Sequence, residues 1–154
     1  MTNSSEVAKA VVRRNTEEVQ SRGNFEVFEE LFADDFIDHT PQPNRTPDKA
    51  GARELYRTLR AAFPDFHAVI HWQLADGDRV TTYKTYHGTH KGTFLGVAPT
   101  DRKIQFETVD VMRGAVASGV GTPAFREYPV RPRGQSADRW AWWQASSNHQ
   151  PCAC

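Results

Sequence analysis

The chain has 154 residues, the size of one ordinary domain with a core of its own. Nineteen basic side chains cancel nineteen acidic ones, so net charge gives no argument for nucleic acid or an anionic membrane as partner. No apolar run approaches the roughly 18 residues of a membrane span, and the opening Met1 to Glu6 lacks the apolar core of a signal peptide. The only cysteines, Cys152 and Cys154, lie at the C-terminal end. They build no disulfide framework, which agrees with a reducing cytoplasm.

In chain order, Ser4 to Arg22 reads as a first helix, capped by Ser4 or Ser5 and stopped by Gly23. Val7, Val11, Val12 and Val19 form its apolar stripe, which Asn15 interrupts. Phe25 to Ala33 is a second helix with Phe28, Leu31 and Phe32 on one side, broken by Asp34 and Asp35. Phe36 to Thr40 is a short extended piece entering the Pro-rich loop Pro41 to Arg45. A third helix opens with Thr46 as cap and Pro47 in the first helical position. Its face is Ala52, Leu55, Tyr56, Leu59, Ala62 and Phe63, and Pro64 ends it.

The period then changes to two. Phe66, Ala68, Ile70, Trp72 and Leu74 form one side of a half-buried strand. Asp76-Gly77-Asp78 is a hairpin turn, and Arg79 to Gly88 and Lys103 to Arg113 are two more strands. Helices first and antiparallel strands afterwards predict an α+β domain, helices packed on one face of a curved sheet. From residue 114 onward neither period persists, apart from a possible short strand at Val116 to Val120. Arg126, Arg131, Arg133 and Arg139 outnumber the acids Glu127 and Asp138, and three of the four tryptophans fall within Trp140 to Trp143. Residues 114–154 are therefore expected to be an irregular or disordered tail.

The sharpest chemical clue is Asp110. On the last clear strand Ile104, Phe106, Thr108, Asp110 and Met112 share one face. A carboxylate on that mostly apolar face is costly unless paired, protonated or used in chemistry. It is a candidate acid/base for moving a proton beside a carbonyl; the plain alternative is a strand-end ion pair with Arg113 or a helix lysine. Asp38 and His39 point to opposite sides of an extended segment, so at most one faces a pocket directly. The plainer local reading is that Asp38 caps a turn and His39 packs over Pro41. Trp72 and Tyr86 are large strand aromatics able to line an apolar pocket, with ordinary core as the plainer reading of Trp72. His67, His71 and His87 read as solvent-side or satisfied strand residues. His67 and His71 are four residues apart but fall on a strand rather than a helix, so no metal site is expected. Nor is there a dinucleotide or phosphate-binding loop, or a Ser-His-Asp or Cys-His arrangement.

FEVFEELFADDFIDHTP, AAFPDF, GDRV and GTHKGTFLGVAPTDRKIQFETVDVMR, in this order, resemble the SnoaL-like polyketide (ester) cyclase family over about residues 6–113. The resemblance implies a nuclear transport factor 2-like, cystatin-like cone: three helices wrapped by a bent, mixed, mainly antiparallel sheet, with a pocket at the open end. It implies cofactor-free intramolecular aldol chemistry on an apolar or aromatic polyketide-like ester or ketone. Asp110 falls where the family often carries a substrate-binding His or Asp. Asp38 and His39 fall at the pocket mouth, and His90 lies in a shared G-x-H-x-G segment where it serves the strand crossing or touches ligand. The implied site is Asp110 with His39 as catalytic groups and Asp38, Trp72, Tyr86, His90 and Phe106 around the substrate, with His39 or His90 holding an enolate oxygen. A homodimer is common in this fold.

Family members continue into a last strand carrying the catalytic carboxylate of the characterised cyclases. Here the chain reads GAVASGVGTPAFREYP, and no residue matches that position. A ligand-binding or structural domain without turnover is thus the rival reading. The tail's Arg, Gly, Pro and Trp richness is what out-of-frame translation of a GC-rich gene gives. An uninterrupted frame on resequencing, with peptide masses for residues 140–154, excludes that origin.

Overall fold

The computed structural model describes residues 4–115 and 124–128. The first helix, α1, spans Ser4–Arg14 and runs on as a π-helical segment over Asn15–Gln20. Its buried stripe is Ala8, Val11 and Val12, then Asn15, Thr16, Val19 and Gln20. Asn15 therefore does not interrupt the inner face; it belongs to it. Helix α2 spans Phe25–Leu31, and the Asn24 side chain caps it by accepting from the Glu26 and Val27 amides.

The chain then turns directly into strand β1, Phe32–Asp38. Extended structure starts at Phe32, ahead of Asp34 and Asp35, because Phe32 and Phe36 enter the core from one side of the strand while the two aspartates stay exposed. Helix α3 is Lys49–Ala62. Asp48, not Thr46, is its cap: Asp48 Oδ1 accepts from the Gly51 amide at 2.9 Å and from the Thr46 hydroxyl at 2.6 Å.

Strands β2 (His67–Asp76), β3 (Arg79–Thr89) and β4 (Lys103–Ala115) form an antiparallel meander. The β2–β3 turn is tight, with Gly77 at φ 60°. Strand β5, Ala124–Tyr128, pairs antiparallel with β4 and parallel with β1, so the sheet order is β1-β5-β4-β3-β2. Within the segment expected to be irregular, Ala124–Tyr128 is thus a strand of the sheet. The five residues AFREY fill the slot between the first strand and the meander. The suggested strand at Val116–Val120 lies outside the described residues.

Helix α1 packs across β2, β3 and β4, while α3 packs on β1. Two apolar clusters result. One joins α1, α2, β1 and α3 through Val12, Val19, Phe28, Phe32, Phe36 and Tyr56 to Val80 and Met112. The other gathers Ala62, Phe63, Phe66, Tyr86 and Phe94, with Phe106 and Ile104 against them. Among the described residues no helix is long and apolar enough to cross a membrane.

Strand β2 carries a bulge. Ile70 pairs with Lys84 and Trp72 with Tyr83, leaving His71 with no residue opposite. The extra residue exchanges the faces of the strand. Ala68 and Ile70 look inward before it, and Gln73 and Ala75 after it. Trp72 and Leu74, expected on the inner side, are 43% and 65% exposed.

Candidate active site

The inner face of β3 and β4 builds the site. Alternation sends Val80, Thr82, Lys84 and Tyr86 of β3 inward, and Thr108, Asp110 and Met112 of β4 beside them. Thr82 lies opposite Asp110 and Lys84 opposite Thr108, so Lys84 and Asp110 are diagonal neighbours on one face. Their charged ends meet at 2.7 Å. Lys84 is 0% and Asp110 5% exposed. The sequence reading of Asp110 as an inward acid is thus met by a partner it did not name, a lysine one strand away rather than Arg113. Arg113 instead pairs with Asp78 of the hairpin turn at 2.7 Å.

Lys84 Nζ also donates to Gln20 Oε1 at 3.3 Å, and that oxygen accepts the Tyr86 hydroxyl at 2.8 Å. The Gln20 amide in turn donates to Tyr56 Oη at 2.9 Å. A continuous polar chain therefore runs Asp110, Lys84, Gln20, Tyr56, with Tyr86 joined at Gln20. The π-helical segment supplies Gln20 and the neighbouring Asn15. Such segments place side chains that a regular α-helix would rotate elsewhere.

The chain of polar groups lies along the seam between the two apolar clusters. Burial pushes the Tyr86 phenol well above its usual pKa, the Asp110 charge adds to this, and the Gln20 bond opposes it. Burial likewise pushes Tyr56 up to about 12, helped by Tyr86 and opposed by hydrogen bonds from Asn15 and Gln20 and by the Lys84 charge. Gln20, Tyr56, Leu59, Phe66 and Tyr86 line a void of about 20 Å³. That is room for one water-sized group and far less than a polyketide. Phe66 stacks on Tyr86 with ring centres 4.9 Å apart, and Phe106 lies 5.1 Å from Tyr86.

Of the residues singled out in the sequence, Asp110, Tyr86 and Phe106 come together here. The others stand apart. Asp38 Oδ1 accepts from the Thr40 amide at 2.8 Å, the turn cap that was its local reading. His39 is exposed in the same turn. Trp72 lies on the outer sheet face, 5.6 Å from the Tyr83 ring, turned there by the bulge. His90 is buried but sits beyond Phe63, whose ring is 5.2 Å away. Its Nδ1 meets Thr100 Oγ1 at 3.1 Å, and its backbone pairs with Arg102 and Asp101, so it fastens the 91–102 loop. His67 and His87 stack across strands at 5.2 Å, and His71 meets the Thr85 hydroxyl at 2.6 Å.

The sequence reading missed Lys84, Gln20 and Tyr56 as site residues. Lys84 was legible by the alternation that singled out Asp110, since it falls in phase with Val80 and Tyr86. Gln20 and Asn15 were legible as polar residues at buried-stripe spacing in a helix of valines.

The SnoaL-like polyketide cyclase model matches residues 10–115. No curated protein matches the chain. A solved structure from Acidithiobacillus ferrooxidans, described as a polyketide cyclase, is 28% identical, with TM-score 0.65, over 79% of this chain and 84% of that one. IdmH from Streptomyces antibioticus, described in the same way, is 25% identical, with TM-score 0.65, over 79% and 88%. A SnoaL-like protein from Jannaschia sp. CCS1 is 20% identical with TM-score 0.70, covers 97% of this chain and 98% of its own, and bears on the fold alone. With the family model over more than two thirds of its length and the fold in agreement, the chain belongs to the SnoaL-like polyketide cyclase family.

Proposed function

We propose that the protein is a cofactor-free cyclase whose acid/base group is Asp110. The observation that carries this is a carboxylate enclosed at the end of a buried polar chain, among aromatic side chains, in a member of a cyclase family. In such a site Asp110 takes a proton from a carbon between two carbonyls. The resulting enolate carbon attacks a further carbonyl of the same molecule, outside the flanking pair, and a carbon–carbon bond forms. The alkoxide left by that attack recovers the proton from the Asp110 carboxyl. Lys84 keeps a positive charge beside the reacting centre throughout. The substrate class is a polyketide-like ester or ketone, with Phe66, Tyr86 and Phe106 as the apolar wall.

The test is incubation with anthracycline-type polyketide methyl esters and chromatography for cyclised product. Asp110→Asn, checked for native circular dichroism, is expected to lose turnover by at least about 100-fold. Product formed equally well by that variant sinks the role of Asp110. A second reading is a non-catalytic apolar-ligand or structural cone, and the closed Lys84–Asp110 contact with its small void favours it. Saturable binding of the ester by the wild-type protein without product decides for that reading.

The outer sheet face supports a homodimer. Val69, Trp72, Leu74, Val109 and Val111 stand exposed there in a central band, and charge lies towards both ends in Lys103, Glu107, Asp76 and Arg79. A second copy of the chain is the occupant we assign to it.

A further inference from the structure

Tyr56 lies on α3, 7% exposed, at the wall of the void. Its hydroxyl oxygen accepts from the Gln20 amide at 2.9 Å and also from the Asn15 side chain. A phenol has one proton of its own to donate, and among the described residues no acceptor takes it. The nearby Asn15 Oδ1 makes no hydrogen bond. Tyr86 differs, because its proton goes to Gln20 Oε1 at 2.8 Å.

The contrast follows from Gln20. Its carbonyl is fixed by two donors, Tyr86 and the Lys84 ammonium. With the oxygen pinned, the amide nitrogen must turn to Tyr56 and donate. Tyr56 is thereby made an acceptor on the Gln20 side and keeps its donor for the other.

We propose that Tyr56 is a catalytic residue that donates a hydrogen bond to a substrate carbonyl oxygen in this void, with Gln20 as the positioning residue that orients it. The proposal deepens the acid/base reading above and rests on it for its chemistry. As Asp110 removes the carbon proton, charge moves onto the carbonyl oxygen, and a fixed donor there stabilises the enolate. The phenol shares its proton and does not surrender it. A void of about 20 Å³ takes a carbonyl oxygen and no ring. The body of the substrate therefore lies outward along half-buried Leu59.

The probe is 1,8-dihydroxyanthraquinone, whose visible absorption band moves when its carbonyl is hydrogen-bonded. Titrated with the full-length wild-type chain, it is expected to show a saturable band shift. Tyr56→Phe keeps the ring, and its thermal unfolding should confirm a native fold. That variant is expected to lose the shift and bind about tenfold more weakly. Gln20→Glu keeps an oxygen for Lys84 and Tyr86 but removes the donor to Tyr56, and is expected to move the bound band away from its wild-type position. No binding by wild type, or an unchanged spectrum with Tyr56→Phe, overturns the proposal.

With the polyketide esters, Tyr56→Phe is expected to lower kcat about 100-fold with KM nearly unchanged. Wild-type kcat from Tyr56→Phe overturns the role of Tyr56 and leaves Asp110 untouched. A Tyr56-dependent band shift without any cyclised ester removes the acid/base reading and leaves the carbonyl contact standing.

Discussion

Lys84 and Asp110 bring two opposite charges out of water at a contact of 2.7 Å. Breaking such a pair from one side leaves a buried charge without its partner. Lys84→Met is therefore expected to lower stability by about 3–5 kcal/mol, read from urea unfolding. Adding Asp110→Leu should recover most of the loss, because two apolar side chains of similar volume replace the pair. A double variant no more stable than Lys84→Met would show that the pair is not what fails. The phenols predict a pH effect. Tyr56 is pushed from 10.0 up to about 12 in the folded protein, and burial also pushes Tyr86 well above its usual value. An acid with a raised folded pKa stays protonated after the unfolded chain has lost its proton. Its stabilising share is complete below pH 10 and falls as pH rises beyond it, by about 3 kcal/mol for a shift of two units. Urea midpoints should drop between pH 10 and 11.5, and less steeply in Tyr56→Phe. Asp110 was legible because strand alternation set an acid among Phe106 and Met112. The partnership with Gln20 was not, since it joins a helix to a strand 64 residues away in sequence.

At the scale of elements, the period-two rule failed where one residue was inserted. The alternation through Phe66, Ala68 and Ile70 continues on paper to Trp72 and Leu74, but His71 has no residue opposite it on β3 and the strand turns over. Nothing in HAVIHWQLAD marks the bulge, because His71 is as acceptable in a regular strand. Strands β3 and β4 and helix α3 were legible because each repeats one period over nearly its whole length. The β1 boundary was not, as FADDF suits a helix end or a strand until Phe32 and Phe36 have a core to enter. The loop after β3 is held by a close approach rather than by pattern. The Lys91 and Gly92 amides donate to the Ala62 carbonyl at 2.8 and 3.0 Å, closing the C-terminus of α3. A Cβ on Gly92 would stand 2.5 Å from the Ala61 oxygen. Gly92→Ala is therefore expected to cost about 1–3 kcal/mol, read as a melting temperature lower by several degrees. An unchanged melting temperature would mean that the loop moves off α3 without loss.

For the whole molecule, the sheet separates two kinds of surface. Its inner side meets α1 and holds the polar seam between the apolar clusters, while its outer side carries Trp72, Leu74, Val109 and Val111 in a band no described element covers. An antiparallel sheet with one packed face normally shows polar residues on the other. Here the bulge puts Trp72 and Leu74 outside, and β4 adds two valines in register with Thr81 and Tyr83. The apolar centre with charge towards both ends is the layout of a self-pairing interface, in which one patch meets its own copy about a two-fold axis. Light scattering on the full chain should therefore give twice the monomer mass at micromolar concentration. Leu74→Lys, at the most exposed of these positions, puts two like charges into the paired face and is expected to give monomer with the fold intact by circular dichroism. The same substitution lies on the side of the sheet away from Asp110, so monomer that retains Tyr56-dependent dye binding would show that the two faces act independently. A wild-type chain that is monomeric at every concentration tested, with Leu74→Lys unchanged in mass, excludes pairing through this face.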